Sequence, residues 1–80
     1  MPDAKSPDHQ ALGAAVRELR EERGLSQEEL GFRAGLHRNY VGGIERAEIN
    51  PSFGVMLQLA RALEVSFLDL ARLYEQRRLS

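Results

Sequence analysis

Between residues 27 and 46 the sequence gathers Gln27, His37, Arg38, Asn39, Tyr40 and Arg46, side chains rich in hydrogen-bond donors. Such a set suits recognition rather than catalysis. An arginine fork can hold guanine O6 and N7 together, and an asparagine amide can do the same for adenine N6 and N7. An amide beside exposed helix N–H groups suits an anion such as phosphate. Nothing pairs a nucleophile with a base, so no catalytic residue is expected. Glu28 and Glu29 are neighbouring carboxylates, but Ser26-Gln27-Glu28-Glu29 has the form of a helix capping box. There is no cysteine, which removes disulfides, thiolate metal sites and cysteine nucleophiles. His9 and His37 lack carboxylates at zinc-site spacing, so neither a metal nor another cofactor is expected.

The elements that must hold these residues come from a chain of 80 residues, one domain's worth. The formal net charge is −1, so any surface for a polyanion must be a local patch. Arginine supplies ten of the eleven basic side chains, and arginine makes fork-like contacts that lysine cannot. No apolar run approaches membrane-spanning length. The first five residues show no charged-then-apolar leader pattern, and a cytoplasmic protein is expected.

Helix signals recur throughout, and no stretch alternates long enough for a strand. Ser6-Pro7-Asp8 reads as a cap, a proline at the first helical position and an acid at the positive end of a helix over 7–23. The capping box opens a short helix over about 26–34, and Gly35 stops it. A third helix fits about 38–46, with Val41 and Ile44 inward. Ser52 caps a fourth helix carrying Phe53, Met56 and Leu63 as core, and Ser66 caps a fifth. Residues 1–5 are expected to form a disordered arm, 6–76 the domain, and 77–80 a frayed tail. A glycine at positive φ lets helices two and three reverse sharply at Gly35-Leu36, the geometry of a helix-turn-helix. At about 100° per residue, Asn39, Gly42, Gly43 and Arg46 then face outward from helix three, with Arg38 and Tyr40 on the flanks. The fold class is therefore all-α, five helices.

Leu19-Arg20-Glu21-Glu22-Arg23-Gly24-Leu25-Ser26-Gln27-Glu28-Glu29-Leu30 resembles the opening of XRE-type, lambda-repressor-like helix-turn-helix regulators. Gly35-Leu36, Ile44-Glu45-Arg46, Asn50-Pro51-Ser52 and Ala60-Arg61-Ala62-Leu63 continue the match in order, from about Leu12 to Leu70. The resemblance implies that Gln27 grips a phosphate and that Arg20 and Glu45 form a buried structural salt bridge. It implies that Arg38 and Asn39 touch bases. His37 stands where the family often has a serine or threonine cap. It could donate to a phosphate or a base, or be an idle loop histidine. Tyr40 and Arg46 are better placed for phosphates. Tyr40 could instead pack its ring inward, and Arg46 could simply offset the dipole at the end of helix three. Gly43 stands where the family often has a longer polar side chain, and with Gly42 beside it is expected to allow close backbone approach to DNA. Ala47 stands where a helix-ending glycine is usual.

Val55 and Leu68 replace residues that the family usually keeps polar. With Phe67, Tyr74 and Leu79 they are expected to form an apolar interface for a symmetric homodimer through helices four and five. Small controller proteins of restriction–modification systems look like this. The expected partner is double-stranded DNA, with no membrane and no small-molecule ligand, and the expected function is a repressor acting on a palindromic operator. Two alternatives stay open at this point. One is the antitoxin of a toxin–antitoxin pair, and the other is a protein-interaction module that has lost DNA binding.

Overall fold

The structure, a computed structural model, describes residues 6–80, so the expected N-terminal arm lies outside the described residues. Five helices follow one another: α1 (Pro7–Glu22), α2 (Gln27–Ala34), α3 (Arg38–Glu45), α4 (Phe53–Ala62) and α5 (Phe67–Leu79). No strand occurs among the described residues. Four helices begin on a serine whose hydroxyl accepts a backbone N–H: Ser6, Ser26, Ser52 and Ser66. Ser26 and Ser66 close full capping boxes with Glu29 and Asp69. The Ser26 N–H and hydroxyl both hydrogen-bond to Glu29, which lowers the Glu29 carboxyl below its ordinary value.

The stops are equally local. Gly35 sits at φ 73°, a left-handed conformation that costs glycine nothing. The Leu36 N–H then returns to the Gly31 carbonyl at 2.8 Å. A Cβ on Gly31 would lie 2.5 Å from the Leu36 carbonyl oxygen, so the tight turn needs glycine there as well. Helix α3 ends differently. Ala47 takes the left-handed conformation at φ 61° although it carries a side chain, and the Glu48 N–H closes onto the Gly43 carbonyl at 2.8 Å. The Ala47 methyl is buried, which offsets part of the strain.

The largest fully buried side chains are Val16, Leu30, Val41, Ile44, Leu59, Leu63 and Leu70, with at least one from each of the five helices. Helix α1 crosses α3 at Gly13, where an added Cβ would stand 2.5 Å from the Ile44 carbonyl oxygen. Helix α5 packs along α1 and closes the molecule. The Arg77 guanidinium forks onto Glu18 with both bonds at 2.7 Å. Tyr74 and Arg78 both donate to Asp8 Oδ1, at 3.0 and 2.6 Å. Helix α5 continues to Leu79, with its last turns tied to α1 by these bonds. Phe53, expected in the core, is exposed and rests edge-on against Phe67 with ring centroids 5.3 Å apart.

Candidate nucleic-acid interface

The capping box fixes where α2 starts, and this places Gln27 as its first helical residue. Gln27 is half-buried, and its amide donates to Glu45 Oε1 at 3.1 Å. Glu45 is itself forked by Arg20, with Nε to Oε2 at 2.7 Å and Nη2 to Oε1 at 3.0 Å. A third bond runs from Arg20 Nη1 to the Leu25 carbonyl at 2.8 Å. The side chains of Arg20 and Glu45 are only 12% and 3% exposed. The hydrogen bonds that Arg20 donates to Glu45 raise the Arg20 pKa, outweighing the opposite pull of burial. One network thus joins α1, the start of α2 and the end of α3. It fixes how the two helices of the helix-turn-helix stand to each other.

His37 is the N-cap of α3, and its Nδ1 accepts the Asn39 N–H at 3.0 Å. This use of Nδ1 as acceptor puts the ring proton of a neutral His37 on Nε2, as an outward donor. Arg38 and Asn39 follow, both exposed, on the first turn of α3. Arg38 Nη1 donates to Glu28 Oε2 at 3.1 Å. Tyr40 is half-buried with its ring packed against the core. At the far end of α3 Arg46 is exposed, and its Nε donates to Glu48 Oε1 at 3.1 Å.

The two glycines do different work. A Cβ on Gly42 would meet Arg46 Nη1 at 2.8 Å and Gln27 Oε1 at 3.2 Å, both ends of flexible side chains. Gly42, expected to face outward, is thus buried as the floor on which Gln27 and Arg46 lie. The outward placement of Gly43 is corrected. A Cβ there would collide with the Ile49 side chain, which folds back over α3, and Gly43 is buried. It is a glycine for internal packing.

The face formed by α2 and the start of α3 includes a residue that periodicity missed. Phe32 is 88% exposed and shares a shallow groove with Glu28, Leu36, His37 and Arg38. Its only sequence signal is an aromatic set off the Leu30–Ala34 stripe of α2. The residues expected at a dimer interface divide into two groups. Phe67, Leu68 and Leu79 are exposed, Leu68 at 58% and Leu79 at 80%. Val55 and Tyr74 pack partly against this chain's own core, and the Tyr74 hydroxyl is bound to Asp8. Among the described residues no group of His, Cys, Asp or Glu could hold a metal ion, and no helix is long and apolar enough to cross a membrane.

Two short helices set at a sharp turn, with the second presenting polar side chains at its exposed N-terminal turn, define a helix-turn-helix protein. The helix-turn-helix family model matches residues 16–70, more than half of the chain, and the chain belongs to this family in its XRE-type form. It is 44% identical over 55 residues to the control protein C.SmaI of Serratia marcescens, covering 69% of this chain and 66% of that one. Among solved structures it is similar to the restriction–modification controller protein C.AhdI from Aeromonas hydrophila. That likeness has 46% identity, a TM-score of 0.80, and covers 81% of this chain and 98% of that one. It also resembles the controller protein C.Esp1396I, a tetramer on its natural 35-base-pair operator, with 26% identity, a TM-score of 0.89, and coverage of 95% and 100%.

Proposed function

We propose that this protein is a transcriptional regulator that binds operator DNA sequence-specifically as a homodimer. The observation that carries the reading is the first turn of α3. His37, Arg38 and Asn39 stand exposed there, next to Gln27 at the N-terminus of α2. Set in a major groove, Arg38 and Asn39 reach base edges, with His37 Nε2 as a further donor. Gln27, Arg46 and the free N–H groups at the start of α2 take the flanking phosphates. Tyr40 has its ring inward and contributes at most its hydroxyl. The controller proteins that the chain resembles support the same reading. It assigns no catalytic role and places the protein with DNA in the cytoplasm.

The dimer would form through α4 and α5, where Phe53, Phe67 and Leu68 present apolar surface. Phe67 also borders a groove of about 360 Å³ between α1, α4 and α5, lined in part by Leu12, Met56 and Leu70. Two recognition helices would then reach half-sites about 34 Å apart. Control through the protein's own concentration, by dimerisation and operator occupancy, fits this reading.

The test is binding to a fluorescent duplex from the upstream region of its own gene across a salt series, beside an Arg38→Ala/Asn39→Ala variant. Tight binding that weakens steeply with salt and is lost in the variant supports the reading. A folded protein that binds neither this duplex nor a random pool refutes it. Sedimentation of wild type and Leu68→Glu checks the dimer: wild type is expected dimeric and the variant monomeric.

A further inference from the structure

Arg38 and Arg46 stand at the two ends of the recognition helix, and each is held by a carboxylate outside that helix. Arg38 pairs with Glu28 of α2, and Arg46 with Glu48 of the turn after α3, both at 3.1 Å. All four side chains are well exposed. Pairs in such solvent contribute little to folding stability, so stability gives weak reason for either. What the two pairs share is their place on the proposed DNA-binding face.

We propose that Glu28 is a specificity-determining residue: an internal counterion that competes with DNA phosphate for Arg38. It thereby weakens binding to arbitrary sequence more than binding to the operator, whereas Glu48 competes for Arg46, which takes a phosphate on either kind of duplex. The proposal rests on the operator-binding reading above. Binding to arbitrary DNA comes from phosphates neutralised by cations and from the counterions this releases. An arginine already neutralised by a carboxylate gains less on meeting a phosphate, and the displaced carboxylate stays nearby as a repelling charge. A matching guanine returns two directional bonds to Arg38, which a phosphate in random register does not. The net charge of −1 points the same way, since no general basic field draws the protein to every duplex. Glu28 also lies in the first turn of α2, where an acid favours the helix dipole, and a glutamine there keeps the side chain's shape.

The experiment compares wild type with Glu28→Gln, Glu48→Gln and the double variant. Each is titrated against a random-sequence duplex and against a duplex that wild type has selected from a random pool, over a salt series. Glu64→Gln, which removes a charge from the turn between α4 and α5, controls for net charge. The expected result is about fivefold tighter binding of the random duplex by Glu28→Gln, with less than about a twofold change on the selected duplex, while Glu48→Gln tightens both duplexes alike. The salt dependence on the random duplex should steepen by about 0.9 for each arginine freed. Equal changes on both duplexes from Glu28→Gln, no change on either, or the same effect from Glu64→Gln overturns the proposal. Failure of folded wild type to select or bind any duplex overturns the operator-binding reading, and the proposal with it.

Discussion

Arg20 and Glu45 close a two-bond fork between α1 and α3, and the same Glu45 carboxylate accepts the Gln27 amide from α2. The start of α2 and the end of α3 are therefore oriented by one nearly buried anion. Its removal leaves Arg20 charged and without its partner in low dielectric. Glu45→Ala should cost about 3–5 kcal/mol, a large part of the stability of a domain this size. Replacing both partners by apolar residues of similar volume, as in Arg20→Met/Glu45→Leu, should recover most of that loss. Urea denaturation of the three proteins checks it, and equal instability of the single and double variants would contradict the account. The double variant should still bind DNA poorly, because Gln27 has lost its anchor.

The neighbouring glycines should respond oppositely to alanine. Gly43→Ala drives a methyl into Ile49 and is expected to destabilise by about 1–3 kcal/mol. Ile49→Ala in the same chain should relieve part of that cost, as a double-mutant cycle would register. Gly42→Ala meets only the movable ends of Arg46 and Gln27, and alanine adds about 1 kcal/mol of helix propensity. It should hold or raise stability while weakening DNA binding, since both displaced groups are assigned to phosphate. Denaturation and duplex titration of the same two variants separate the effects.

Glu64 sits at φ 59° in the turn between α4 and α5, exposed, with its carbonyl accepting Arg23 Nη2 at 3.2 Å. A left-handed residue with a side chain costs roughly 1–2 kcal/mol, and glycine's extra unfolded-state entropy returns about 0.5–1 of it. Glu64→Gly should therefore stabilise by about 0.5 kcal/mol and raise the Tm by about 2–4 °C. Calorimetry showing a lower Tm would refute the argument. The hydrogen bond from Arg23 reaches backbone and survives the change.

Stability should also carry a signature of the α1–α5 contact in its pH dependence. The Asp8 carboxyl is held below its ordinary value, first by its hydrogen bond from Arg78 and then by that from Tyr74. A depressed folded value means the stabilisation is present above the unfolded pKa of about 4 and is lost as pH falls through the folded value. The hydrogen bond to Asp8 raises the Tyr74 pKa, so its contribution is present below about 10 and is lost as pH rises through the folded value. Asp8→Asn should flatten the acid limb, and Tyr74→Phe the alkaline one. Denaturant midpoints measured from acid to alkaline pH check both.

The starts of α1, α2 and α5 were open to reading because each is written in a few adjacent residues: serine followed three on by an acid, or serine followed by proline. The helix-turn-helix was open for the same reason, since Gly35-Leu36 is a local signal. What stayed hidden depended on distant residues. Gly43 reads as outward from the helical period alone, and only the path of the chain after Ala47 brings Ile49 over it. Phe53 belongs to an apolar run, yet the first turn of α4 starts beyond the core. Arg77 looks like a frayed end until α1 supplies Glu18, 59 positions away. The pairing of Arg38 with Glu28 spans ten positions and a turn, beyond any periodic rule.

Ile49 lying over Gly43 also limits how this lineage can change what it reads. A new side chain at the middle of α3 would be the simplest way to meet a further base, and here one nucleotide change cannot supply it. Position 43 is closed until position 49 has shrunk, and shrinking position 49 first uncovers part of the interior. If residues 37, 38 and 39 read the operator as proposed, divergence in operator preference runs through them first, since their surface is open and each substitution can be tried alone.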